Sequence, residues 1–156
     1  LEQVREGAEP AIYPQAVLEG CETALVLFAA AFHGQQDAVW FAEAGLAATC
    51  VDVDAEKLGE MEQVYPQDWE YVYGDAFAYA TAADRVWDVV SLDPPSDLFA
   101  RCAELLPLWC LLANRAVILG TGKDTLVVPP PGWQITNRLW RSWFQGGTYW
   151  TVVKPC

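Results

Sequence analysis

Five short apolar runs, the first four each followed by a stretch that suits a helix, leave few folds open to this chain. Thr23 to Phe28 (TALVLF), Leu46 to Val51 (LAATCV), Trp69 to Tyr73 (WEYVY, alternating and aromatic-rich), Val89 to Leu92 (VVSL, suited to a buried parallel strand) and Ala116 to Leu119 (AVIL) have the length and composition of strands. Between them, Gln36 to Ala44 places Val39 and Trp40 at helical spacing before Gly45, and Ala55 to Val64 carries Leu58 and Met61 on one face before Pro66. An alanine-rich helix follows Gly74-Asp75 and runs to Ala83. A long helix from Leu98 to Leu112, capped by Ser96 or Asp97 and ended by Asn114, follows the fourth run. After Pro129 to Pro131, Gln134 to Phe144 and Thr148 to Val153 flank Gln145-Gly146-Gly147, which predicts a β-hairpin. Four βα units, a fifth strand and a hairpin predict an α/β three-layer sandwich: a seven-stranded, mostly parallel sheet with right-handed crossovers that ends in an antiparallel hairpin. Leu1 to Gly20, with Pro10 and Pro14, predicts an arm or lid containing a short helix from Pro14.

In open sheets of this kind ligands bind beyond the carboxyl ends of the strands, so the residues that close each run matter most. The second run ends in Asp52 and Asp54, the third in Gly74-Asp75, and the fourth in Asp93-Pro94-Pro95. Two successive prolines stop a strand abruptly and leave carbonyls without ladder partners, so polar atoms face the space above the sheet. Each aspartate also has a plain structural use. Asp52 or Asp54 can cap the helix that starts at Ala55, and Asp75 can cap the next one.

Charge and length narrow the function. With 156 residues and 53% hydrophobic content the chain fills one domain, residues 1–156, with a full core. A net charge of -12 disfavours a free-standing nucleic-acid binder, because such binding depends on Lys and Arg neutralising phosphates. The apolar runs are too short to span a bilayer, and no basic region leads into a hydrophobic signal segment, which predicts a cytoplasmic protein with no membrane partner. Five scattered cysteines without a CxxC pair predict buried free thiols and no metal site.

The order of elements, from about Cys21 onward, resembles the class I methyltransferases that use S-adenosylmethionine, a Rossmann-like fold whose last two strands form such a hairpin. The resemblance implies S-adenosylmethionine as cofactor, Asp52 at the ribose hydroxyls with Asp54 as the neighbour able to substitute, and Asp75 at the adenine amine with Ala76 and Phe77 near the ring. It matches Asp93-Pro94-Pro95 to the family's fourth motif, [D/N]PP, at the acceptor, in a form (LDPPS) similar to that of ribosomal-RNA methyltransferases. The family's glycine loop falls on residues 29–35. Ala29, Ala31, His33 and Gln35 stand at its acidic and glycine positions, and Gly34 is the glycine nearby, so Ala31 and Gly34 are the loop's candidate cofactor contacts.

Further features bear on the chemistry. Ser96 and Asp97 follow the prolines where an aromatic often stands, and Phe99 is the first ring. No cysteine stands beside Pro94 or at the end of the fifth strand, so covalent cytosine-5 chemistry lacks its nucleophile. Gly120-Thr121-Gly122-Lys123 is no phosphate loop, because Val117 replaces the first glycine and Asp124 follows the lysine. The acceptor is then a nucleobase amine or a small molecule. The second expectation is a non-catalytic, methyltransferase-like binding or assembly subunit, which pairs with itself or a partner protein through the aromatic hairpin of Trp133, Trp140, Trp143, Phe144, Tyr149 and Trp150.

Overall fold

A computed structural model describes residues 16–30, 32–143 and 146–156. Its seven strands are β1 (Thr23–Leu27), β2 (Ala47–Asp52), β3 (Glu70–Tyr73), β4 (Trp87–Leu92), β5 (Ala113–Thr121), β6 (Trp133–Trp143) and β7 (Gly146–Pro155). They form one sheet in the order β3-β2-β1-β4-β5-β7-β6. The first five strands are parallel, and β7 inserts antiparallel between β5 and β6. The predicted fold class is therefore the observed one. The tip of the hairpin, residues 144–145, and the arm with its helix at Pro14 lie outside the described residues, apart from a helical turn at 16–18.

Alternation along the strands sorts the core into two layers. Ala24 and Val26 of β1, Ala48 and Cys50 of β2 and Val89 of β4 face helices α1 (Phe32–Glu43) and α2 (Ala55–Val64), which contribute Ala38, Trp40, Phe41, Leu58 and Met61. Leu25, Leu27, Val51, Val90 and Leu92 face α3 (Ala76–Ala82), α4 (Phe99–Glu104) and α5 (Leu106–Leu112), with Trp109 fully buried among them. Helices α1 and α2 carry the chain one way from β1 to β3. It then returns across the sheet, and α3 to α5 cover the opposite face, so the strand order reverses between β1 and β4.

Several boundaries differ from those predicted, each for a local reason. The first helix starts at Phe32 rather than Gln36, which places Gly34 inside it. The predicted helix from Leu98 to Leu112 is instead a 3₁₀ turn (Ser96–Leu98) followed by α4 and α5. Proline has no N–H to donate and its ring crowds the carbonyl four residues back, so Pro107, in the first turn of α5, forces the break at Leu105. Neither Ser96 nor Asp97 serves as the side-chain cap of α4; Leu98 occupies that position without a capping bond. Asn114 does not end the helix but belongs to β5, where its side chain donates to Asp88 Oδ1 at 3.3 Å.

Asp88 clamps the opposite end of the sheet from the predicted site. Its Oδ2 accepts from Glu22 N at 2.7 Å and Thr23 N at 3.3 Å, joining the start of β1 to β4. The Glu22 backbone N–H is the main reason its carboxyl titrates below the ordinary carboxylate value. With the folded value depressed, the contribution to stability is complete above the ordinary value and disappears as pH falls through the folded one. Asp88→Asn is therefore expected to lower the urea midpoint at neutral pH, and the gap from wild type is expected to close below about pH 4. A gap independent of pH would show that the carboxylate's charge is not what holds the strands.

All five cysteines are free thiols; Cys50, Cys102 and Cys110 are buried, Cys21 is half-buried and Cys156 is exposed. Burial pushes the Cys50 thiol up to about 12. Among the described residues no helix is long and apolar enough to cross a membrane, and no three metal-ligating side chains gather.

Candidate cofactor and acceptor site

The three predicted aspartates stand at the carboxyl ends of β2, β3 and β4; β2 and β4 flank β1 at the reversal point, and β3 lies beyond β2 at the sheet's edge. Asp52 is the last residue of β2 and is half-buried. Its Oδ2 accepts from Ala30 N at 2.9 Å and its Oδ1 from Asp54 N at 2.8 Å. The helix cap is Asp54, whose Oδ1 accepts from Lys57 N at 3.1 Å. Asp52 is thereby spared that task. A carboxylate has about four lone-pair sites, and two of those on Asp52 serve the backbone, so two remain, the number a pair of neighbouring hydroxyls requires.

Exposed apolar surface borders this carboxylate. Val53 is 64% exposed, and Tyr73, paired with Asp52 across β2 and β3, is 69% exposed. The sequence prediction passed over both; an apolar residue directly after a strand-ending acid is the signal that marks Val53. Asp75, by contrast, caps its helix. Its Oδ2 accepts from Ala78 N at 2.8 Å, leaving Oδ1 for any ligand, and Ala76 beside it is buried in the first turn of α3.

The loop after β1 turns without a glycine. Phe28 takes the left-handed conformation, φ 60°, at a cost of about 1–2 kcal/mol for a residue with a Cβ. Ala29 N donates to Val51 O at 3.1 Å, and Ala30 then reaches Asp52; both alanines are buried. The Phe28 ring meets Phe77 edge-on, with centroids 5.9 Å apart, and the Arg101 guanidinium lies 3.8 Å over Phe77. The turn is thus tied to α3 and α4. Of the predicted loop contacts, Gly34 sits in the first turn of α1, and Ala31 lies outside the described residues.

At the end of β4, Asp93 is only 2% exposed, Pro94 is buried, and Pro95 is exposed. Trp150 of β7 donates its indole N–H to Asp93 Oδ2 at 3.3 Å. The other oxygen lies over Gly120 of β5: a Cβ added there would overlap Oδ1 and come within 3.0 Å of Cγ. Two residues earlier on β4, Ser91 Oγ donates to Asp37 Oδ2 at 2.5 Å, and both side chains are buried. None of Asp37, Ser91, Gly120 or Trp150 was predicted as part of the site. An isolated acid within the apolar side of a helix, Asp37, is the one sequence signal among them.

A groove of about 550 Å³, lined by Ala100, Glu104, Pro107, Asp124, Leu126 and Val128, runs along α4 and α5 and includes none of the predicted site residues.

Comparison with known proteins places this geometry in a known fold. No family model matches the chain, and no curated protein sequence matches it. Solved structures do. TrmN from Thermus thermophilus aligns at TM-score 0.69 and 18% identity over 93% of this chain and 48% of its own, so the chain spans about half of that protein. A conserved hypothetical protein of Streptococcus pyogenes aligns at 0.64 and 19% over 92% of this chain and 95% of its own. A SAM-dependent methyltransferase from Thiobacillus denitrificans, solved with S-adenosyl-L-homocysteine, aligns at 0.62 and 15% over 89% and 70%. The chain has the Rossmann-like fold of class I S-adenosylmethionine-dependent methyltransferases.

Proposed function

We propose that the protein is an S-adenosylmethionine-dependent methyltransferase. The observation that carries this reading is the position of Asp52. It ends β2 beside the reversal point of the sheet, is not the helix cap, and keeps two acceptor sites for the vicinal hydroxyls of a ribose. Val53 and Tyr73 supply apolar surface for the flat face of adenine, and Asp75 Oδ1 is its candidate polar contact. Gly34, in the first turn of α1, and Ala31 are the remaining candidate contacts, toward the methionine part.

When bound, the cofactor would supply an electrophilic methyl group carried on a sulfonium, with a neutral thioether as its leaving group. The chain's part is alignment of the two reactants, which lowers the barrier by removing translational and rotational freedom beforehand. Pro94 and Pro95, at the end of β4, form the acceptor side of the crevice. Pro95 is its exposed member and Asp93 lies behind. The acceptor is a small molecule or a nucleobase amine. The charge of -12 supports the small molecule, or a nucleic acid brought by a basic partner.

A specific observation favours a second reading, a non-catalytic binding or assembly subunit. The loop after β1 has buried Ala29 at the position of the family loop's acidic residue and Ala31, His33 and Gln35 at its glycine positions, while Arg138 lies over the Tyr149 ring and Trp140 packs against it on β6 and β7, at the sheet's edge. Thermal denaturation with added nucleotides separates the readings. S-adenosylhomocysteine at a hundred times its dissociation constant adds about 2.7 kcal/mol of stability, so it should raise the melting temperature while ATP and NAD leave it unchanged. No rise with S-adenosylhomocysteine, or an equal rise with all three, would favour the assembly reading.

A further inference from the structure

The Asp-Pro-Pro turn at the end of β4 suggests at first sight a carboxylate presented to the acceptor. The surroundings of Asp93 point elsewhere. The residue is 2% exposed, and Trp150, itself 1% exposed, reaches Oδ2 from β7. The indole is fixed in turn by α1, where the Trp40 ring meets it edge-on at 4.5 Å and 89°. Beneath Oδ1 the backbone of Gly120 leaves no room for a side chain, and Thr148 Cγ2 closes the same space, 3.3 Å from where that Cβ would lie. Strands β5 and β7 therefore close on one carboxylate, and α1 backs the indole that binds it. A group held in this way is better suited to fixing the backbone that follows it than to taking a proton from a ligand.

We propose that Trp150 is the positioning residue of the acceptor side: its indole N–H holds the Asp93 carboxylate inward over Gly120, and Asp93 in turn sets the Pro94-Pro95 turn without meeting the acceptor. This rests on the reading that the crevice beside that turn takes the acceptor. On this account the acceptor contacts come from the turn's backbone and from Pro95. The chain then supplies no carboxylate base at this position, which restricts acceptors to those whose lone pair is available at neutral pH, such as a neutral amine or an aromatic ring nitrogen.

Carboxyl labelling with a carbodiimide and glycine ethyl ester, read by mass spectrometry, tests this without knowledge of the acceptor. In wild type, Asp93 should label at least about tenfold less than exposed Asp97, and Trp150→Phe should raise Asp93 labelling about tenfold while buried Asp37 stays protected, since only the local hold is lost. The indole resonance that disappears in Trp150→Phe should also move in Asp93→Asn and stay in place in Asp97→Asn. Labelling of Asp93 as fast as Asp97 in wild type, continued protection of Asp93 in Trp150→Phe, or equal exposure of Asp37 and Asp93 in that variant would each overturn the proposal. Failure to bind S-adenosylhomocysteine would instead defeat the methyltransferase reading and leave these labelling results standing.

Discussion

Gly120→Ala is expected to destabilise the protein by about 3 kcal/mol, at the upper end for overpacking, because the added methyl meets a buried carboxylate and not the flexible end of a side chain. The parallel register pairs Ser91 with Ile118 and Leu92 with Leu119, and one step further sets Asp93 beside Gly120. Any Cβ at position 120 overlaps Asp93 Oδ1, and Thr148 blocks the nearby escape. Moving the carboxylate would also break its bond to Trp150. Asp93→Ala removes the obstructing group, so the double variant should be more stable than the two separate losses predict, by about 1–3 kcal/mol. Urea unfolding of the wild type, both single variants and the double variant measures this coupling. Additive losses would show that Gly120 is constrained by something other than Asp93.

Asp52→Ala is expected to weaken S-adenosylhomocysteine binding about a hundredfold, the loss of about 1.5–3 kcal/mol for hydrogen bonds to a charged group. It should also lower stability, since the N–H of buried Ala30 loses its acceptor, at about 1–3 kcal/mol. Asp54→Ala is the control. It removes only a helix cap, worth about 1 kcal/mol, and should leave the dissociation constant nearly unchanged. Calorimetric titration of the two variants separates a ligand contact from a structural one, and comparable weakening in both would remove Asp52 from the site.

The fold was largely legible because its signals are local and repeated. Each of the five parallel strands contains a short run rich in apolar residues, Ala55 to Val64 forms the helix predicted for it, and glycines and prolines mark most of the joints. The predicted helix from Leu98 to Leu112 differed because its apolar pattern continues through Pro107, where the missing N–H and the ring overrule it. Site residues were legible only where the strand end itself carries them. Asp52, Asp75 and Asp93 stand at strand ends as predicted, but whether each one caps a helix, faces a crevice or is buried depends on neighbours the sequence does not juxtapose. Asp52 and Asp54 had equal claims to cap the helix until the bond from Lys57 N assigned the cap to Asp54. Trp150 and Gly120 matter through register: β5 and β7 must pair with Gly120 opposite Trp150 before either can act on Asp93. No periodicity in the chain encodes that pairing. The turn after β1 is likewise illegible in the sequence, because Phe28 takes the left-handed conformation that glycine adopts at less cost, with its ring packed against Phe77.

Whether this crevice binds the cofactor is settled most directly by isothermal titration of the intact chain with S-adenosylmethionine and S-adenosylhomocysteine. A saturable heat with one site per chain and a dissociation constant of about 1–100 μM for at least one of the two is the predicted result. No heat from either at millimolar concentration, with the protein folded throughout, would contradict it.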